Sequence, residues 1–142
     1  MDIKECFEKG LLKRDIKDIR RSAKSIEAAK RKIEIAKKTF DVDILEESII
    51  NAYASMFHAS RAILFRDGVK EKSHYAVYVY LREMYKEKIE ARFLNEFNSL
   101  RMERHELIYG LEKSKLDKTE TQNIILIAEE FVKMVEKLIG LK

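Results

Sequence analysis

The chain of 142 residues contains no proline and only four glycines. Proline breaks a helix interior and glycine weakens it, so their scarcity favours long helices with short connections. There is one cysteine, Cys6, which excludes an intrachain disulfide and a cysteine-based metal site. No apolar run reaches the 18 or so residues that a membrane-spanning helix needs. The opening Met1-Asp2-Ile3-Lys4-Glu5-Cys6 has no signal-peptide pattern, so a cytoplasmic location is expected. Familiar catalytic signatures are missing too: no glycine-rich phosphate loop, no GxSxG, no HExxH. The three histidines, His58, His74 and His105, are far apart in the chain. Neither a metal nor a cofactor is expected.

What is abundant is charge. Lys, Arg, Asp and Glu make up 38% of the residues, with a net charge of +4. Residues 1–40 hold 13 Lys/Arg against 7 Asp/Glu, whereas residues 41–142 hold 16 against 18. The basic excess runs through Lys13, Lys17, Arg20, Arg21, Lys24 and Arg31. It reads either as a solvated helix face with paired charges or as an attraction for a polyanion such as RNA.

Apolar spacing divides the chain into helices. Asp2 caps a short helix over 2–9. Steps of three and four through Ile16, Ile19, Ala23, Ile26, Ala29, Ile33 and Ala36 predict a long helix over 14–38. Asp41-Val42-Asp43 makes a break and supplies the cap of the next helix, 44–66, which is apolar nearly all round and therefore central. Ser73 caps a helix over 74–86, another runs over 89–108, a polar loop covers 111–118, and a last helix runs over 119–138 with Thr119 and Gln122 at capping-box spacing. The expected fold is all-α, an up-and-down bundle of four long helices plus short ones, as one domain over 1–142.

One side chain breaks the pattern. Phe93, Phe97, Leu100, Leu107 and Ile108 form an apolar stripe, and Arg104 lies near its centre. A buried arginine needs a partner. Two readings follow. In one, Arg104 lines a cleft with Arg101, His105 and Tyr109, where guanidinium and imidazole suit phosphodiester chemistry. In the other, Arg104 is buried against Glu47 with Asn51 hydrogen-bonded nearby, and His105 is a surface residue. His58, on the polar strip of the central helix, reads as a hydrogen-bonded structural histidine. Lys72 and His74, at a helix N-terminus, read equally as a phosphate site or an ordinary cap. Tyr75, Tyr78, Tyr80 and Tyr85 are candidates for a dimer surface or for base stacking, with at least half of them expected instead to pack with their hydroxyls in water.

The block Asn51-Ala52-Tyr53-Ala54-Ser55-Met56-Phe57-His58-Ala59-Ser60-Arg61-Ala62-Ile63-Leu64 resembles the "YYAxFHAARALL" helix of HEPN-domain proteins. Asp67-Gly68 followed by Lys72-Ser73-His74 resembles the loop after it. The likeness is to the small stand-alone prokaryotic group and spans nearly the whole chain. It implies a helical bundle that forms homodimers, and often a minimal nucleotidyltransferase partner in a toxin–antitoxin pair. It also implies RNA or nucleotide binding. Active toxins of the wider family are metal-independent RNases carrying an arginine followed, after four to six residues, by histidine at a dimer cleft. Here Arg104 is followed after four residues by Tyr109, so tyrosine stands where that signature has histidine, and Arg101 precedes His105 by only three intervening residues. With an unperturbed pKa of about 10, tyrosine is a poor proton acceptor at neutral pH. In some relatives a tyrosine near the signature is modified by the nucleotidyltransferase, a second role open to Tyr109. The resemblance also leaves room for a non-catalytic binding partner with structural arginines.

Overall fold

A computed structural model describes residues 1–111 and 115–140. Its elements are α1 (Ile3–Glu8), β1 (Leu12–Arg14), α2 (Ile19–Asp41), α3 (Leu45–Asp67), β2 (Val69–Glu71), α4 (His74–Met84), α5 (Ala91–Tyr109) and α6 (Lys118–Leu138). Four long helices, α2, α3, α5 and α6, form the bundle, and α3 packs against α2, α4, α5 and α6. Its buried residues, from Ile49, Tyr53 and Met56 round to Asn51, Ser55 and Ala62, cover more than half of the helix, and the remaining strip, through Ala54, Phe57, His58, Arg61 and Phe65, is only half-buried. Of the loop expected over 111–118, residues 112–114 lie outside the described residues.

The closest pairing is between α2 and α3, and small side chains permit it. Ala29 and Ala36 of α2 and Ala52, Ala59 and Ala62 of α3 are fully buried. Two serines of α2 bond directly to the α3 backbone: Ser22 Oγ donates to the Ala62 carbonyl at 2.7 Å and Ser25 Oγ to the His58 carbonyl at 2.6 Å. Buried hydroxyls are thereby satisfied without a polar partner side chain. At the far edge α6 is tied to α2 by Lys30–Glu136 at 2.5 Å and Lys37–Glu129 at 2.6 Å.

Several local expectations need correction. The helix expected from residue 14 starts at Ile19, capped by the Asp18 side chain on the Arg21 amide. The preceding residues pair as a short antiparallel ladder, with Leu12 opposite Glu71, Lys13 opposite Lys70 and Arg14 opposite Val69. Ile16 and Ile19, expected in the core, are exposed because they precede the packed part of α2. Asp43 does not cap α3. It takes a left-handed backbone (φ 63°) and its carboxylate accepts from Lys118 instead. The cap of α6 is Asp117, not Thr119.

The ladder fixes where α4 begins. Gly68 ends α3 in the left-handed region (φ 77°), and a Cβ there would lie 2.8 Å from the Asp15 carbonyl oxygen, so only glycine fits. The Lys72 amide donates to the Leu11 carbonyl, and one residue later Ser73 Oγ accepts from the Ala76 amide and starts α4. Below, Asp67 Oδ2 accepts from the hydroxyls of both Tyr80 (2.8 Å) and Tyr85 (2.6 Å). These two tyrosines are therefore buried clamps on the α3 end, the packing alternative for half of the four tyrosines, and not a dimer or stacking surface. Tyr75 and Tyr78 remain half-buried.

Candidate functional site

The apolar stripe of α5 holds as far as Leu100. Phe93, Leu94, Phe97 and Leu100 are buried; after Leu100 no described residue of α5 is. Leu107 is half-buried and Ile108 exposed. Arg104 thus lies where the helix leaves the core, not inside it. Its guanidinium carbon sits 5.7 Å from the centre of the Tyr53 ring, and that of Arg101 sits 5.1 Å from the Tyr75 ring. Cations over aromatic faces gain electrostatic attraction while keeping an open side.

The Glu47 pairing does not form. Glu47 stays exposed in the first turn of α3, where a carboxylate complements the helix N-terminus, and Asn51 spends its amide on the Glu47 carbonyl at 2.8 Å. Among the described residues the arginine ion pairs involve Arg21, Arg61, Arg66, Arg82 and Arg92, and none reaches Arg104 or Arg101. The Arg101 guanidinium instead donates to Asn98 Oδ1 at 3.1 Å.

Both arginines open onto a cleft of about 540 Å³ that also meets His74, Met102, His105 and Glu106. His74 comes from the first turn of α4. Its ring stacks on Phe57 at 4.1 Å, and its Nδ1 lies 2.7 Å from the Tyr53 hydroxyl. Burial, and after it the charges of Arg104, Arg101 and Arg61, lower the His74 pKa below its usual value, so the ring is neutral at neutral pH. Burial also raises the Tyr53 pKa, so its hydroxyl keeps its proton. That hydroxyl has no other polar partner among the described residues. It must therefore donate to Nδ1, which leaves the proton of the neutral imidazole on Nε2. In this state His74 can hold an anion's oxygen but cannot accept a proton from it.

His105 is exposed, and its ring centre lies 4.9 Å from that of Tyr109. Tyr109 is 65% exposed and does not line the cleft. Lys72 lines the neighbouring opening with His74. His58 is half-buried, and its ring makes no hydrogen bond to a described residue, which corrects the expectation of a bonded structural histidine; only its backbone carbonyl is used. Among the described residues no three His, Cys, Asp or Glu side chains converge on a point that could hold a metal ion. The contribution of Tyr53 was missed in sequence. The signal available was its place on α3, four residues before Phe57, which puts both rings on one face.

A helical bundle with two arginines and two histidines around one cleft is the class of protein that fold and site define. The HEPN domain family model matches residues 22–138, and the chain belongs to that family. No curated protein matches the chain. No helix among the described residues is long and apolar enough to cross a membrane.

Proposed function

We propose that this protein binds the phosphate of an RNA or nucleotide in the cleft of Arg101, Arg104, His74 and His105. It does so as a cytoplasmic homodimer and as the HEPN member of a toxin–antitoxin or nucleotidyltransferase-associated pair. The observation that carries the reading is the pair of arginines without a carboxylate partner among the described residues, opening onto one cleft. An anion supplies the missing counter-charge, and the guanidinium fork matches phosphate oxygens. The alternative of purely structural arginines is disfavoured because neither is buried, and neither forms an ion pair with a described residue.

The dimer reading is supported by the last part of α5 and the residues after it, where Met102, on the cleft, is 57% exposed and Ile108, Tyr109 and Leu111 are exposed as well. Apolar side chains left exposed along this segment favour a second copy, which would bring its own arginines to the same cleft. Sedimentation velocity should give twice the chain mass, and the double variant Met102→Lys, Leu111→Lys should give the monomer. A wild-type monomer at micromolar concentration would sink the dimer.

A second reading, metal-independent RNA cleavage, is favoured by His105 standing on the cleft one residue after Arg104. His105 would take the 2′-hydroxyl proton as that oxygen attacks phosphorus, and Arg104 would stabilise charge on the phosphorane. The P–O5′ bond would break with the 5′-oxygen taking a proton from water, leaving a 2′,3′-cyclic phosphate. Purified protein is incubated with several RNAs in EDTA, beside Arg104→Ala and His105→Ala. Cleavage lost in both variants supports the second reading. No cleavage by wild type, with binding retained, leaves the binding reading alone. Co-purification with a minimal nucleotidyltransferase encoded beside the gene tests the pair.

A further inference from the structure

Three cation-lined openings are contiguous on this protein, each sharing a residue with the next. His74 lines the α5 cleft and also a smaller opening of about 270 Å³ that holds Phe57, Arg61 and Lys72. Arg61 in turn lines a third opening, of about 410 Å³ between α2 and α3, together with Arg21, Lys24, His58 and Phe65. The acids along this path are few: Glu106 in the first opening, Glu71 at 3.3 Å from Arg61, and Asp18 at 3.8 Å from Arg21. Lys24 has no ion pair among the described residues.

Two further features extend the positive field along this path. The Lys72 ammonium lies beside that of Lys13 across the ladder, close enough that Lys13 lowers its pKa. Two neighbouring ammonium groups repel unless a negative group sits between them. His58, in the third opening, has its pKa lowered by burial and then by Arg61, Lys32 and Arg31, so the positive field extends to α2.

We propose that the α2–α3 opening is a second phosphate-anchoring site for one single-stranded nucleic acid. The strand passes from Arg101 and Arg104, by Lys72 and Arg61, to Lys24 and Arg21. This rests on reading the α5 cleft as a phosphate site. A polynucleotide is favoured over a mononucleotide because the cations continue through three openings. A single strand is favoured over a duplex because Phe65, half-buried in the third opening, lies 5.0 Å from the Arg61 guanidinium, whereas the Phe57 ring is already stacked on His74. Aromatic faces can stack only with bases that are not already paired.

Fluorescence anisotropy on the full chain tests this with labelled 2′-O-methyl RNA of three and twelve nucleotides, which cannot undergo 2′-hydroxyl attack. The α2 variant is Arg21→Glu, Lys24→Glu, both exposed positions, with folding checked by thermal melting. The cleft variant is Arg101→Ala, Arg104→Ala. The expected result is that the trimer binds wild type and the α2 variant equally. The twelve-mer should bind the α2 variant at least about tenfold more weakly, with a salt slope shallower by roughly 0.7–1.4 because one or two phosphate contacts are lost. The cleft variant should lose both lengths. Equal binding of the twelve-mer to wild type and the α2 variant would overturn the second site while leaving the cleft. Weaker trimer binding in the α2 variant would overturn it too, since its effect would not be length-dependent. No binding of either length to wild type would overturn the cleft reading and the track together.

Discussion

Acidification acts on the cleft through His74. Its pKa in the folded chain is held below the usual histidine value, first by burial and then by Arg104, Arg101 and Arg61. The unfolded chain therefore binds a proton more readily, and His74 contributes stability that is present above about pH 6.5 and lost as pH falls through the folded value. Anion binding should respond with the opposite sign, since a protonated His74 adds a charge to the cleft. Urea unfolding and RNA binding measured from pH 7.5 to 5 should show falling stability and rising affinity. His74→Gln should lessen both trends, leaving the share of the stability loss that belongs to His58, and unchanged trends in that variant would remove His74 from the account. At this scale the sequence was half legible. Arg104 stood out because it interrupts an apolar stripe. Its expected partner Glu47 failed because helical spacing fixes the face a residue lies on, not where its helix meets solvent. The Tyr53–His74 bond joins residues 21 apart on different helices, which no local pattern encodes.

Among the elements, the short ladder has consequences beyond its size. It sets the path of the chain between α3 and α4 and so positions Ser73 and His74. Gly68→Ala should cost about 2 kcal/mol or more, because it adds the strain of a left-handed alanine to a clash with the Asp15 carbonyl. Chemical denaturation measures this, and a loss below about 0.5 kcal/mol would show that the turn relaxes cheaply. The ladder was not legible in sequence because three-residue strands are too short for alternation to register. The same shortness misplaced the start of α2. Ile16 and Ile19 continue the three-and-four spacing but precede the packed turns. The long helices were legible because each buries one regular face, and α3 because its buried face covers more than half of its circumference.

For the whole molecule, tight small-residue packing and surface charge should contribute very differently to stability. Ala59 is fully buried on α3, and Ala59→Leu should destabilise by about 1–3 kcal/mol through overpacking. Lys37, about two-fifths exposed, pairs with Glu129 at the α2–α6 edge. Lys37→Ala should change stability by less than about 1 kcal/mol, with the difference fading in high salt. Denaturation curves for the two variants check the ordering, and a larger loss for Lys37→Ala would reverse it. The charge asymmetry visible in the sequence has a spatial counterpart. Part of the basic excess, Arg21 and Lys24, lines an opening rather than being fully neutralised at the α2–α6 edge.

The departure of α5 from the core after Leu100 divides one helix into two regimes of opening. Amides up to Leu100 lie under buried side chains and exchange with solvent deuterium only when the bundle opens. Those from Arg101 onward can be released turn by turn. Arg104 and His105 therefore sit on the part of the helix that is cheapest to disorder, and an anion or a second copy bound there must hold those turns in helical form. Part of the binding free energy is spent on that ordering. Slowed deuterium uptake should then be concentrated in residues 101–109 when a ligand binds, with little change before Leu100.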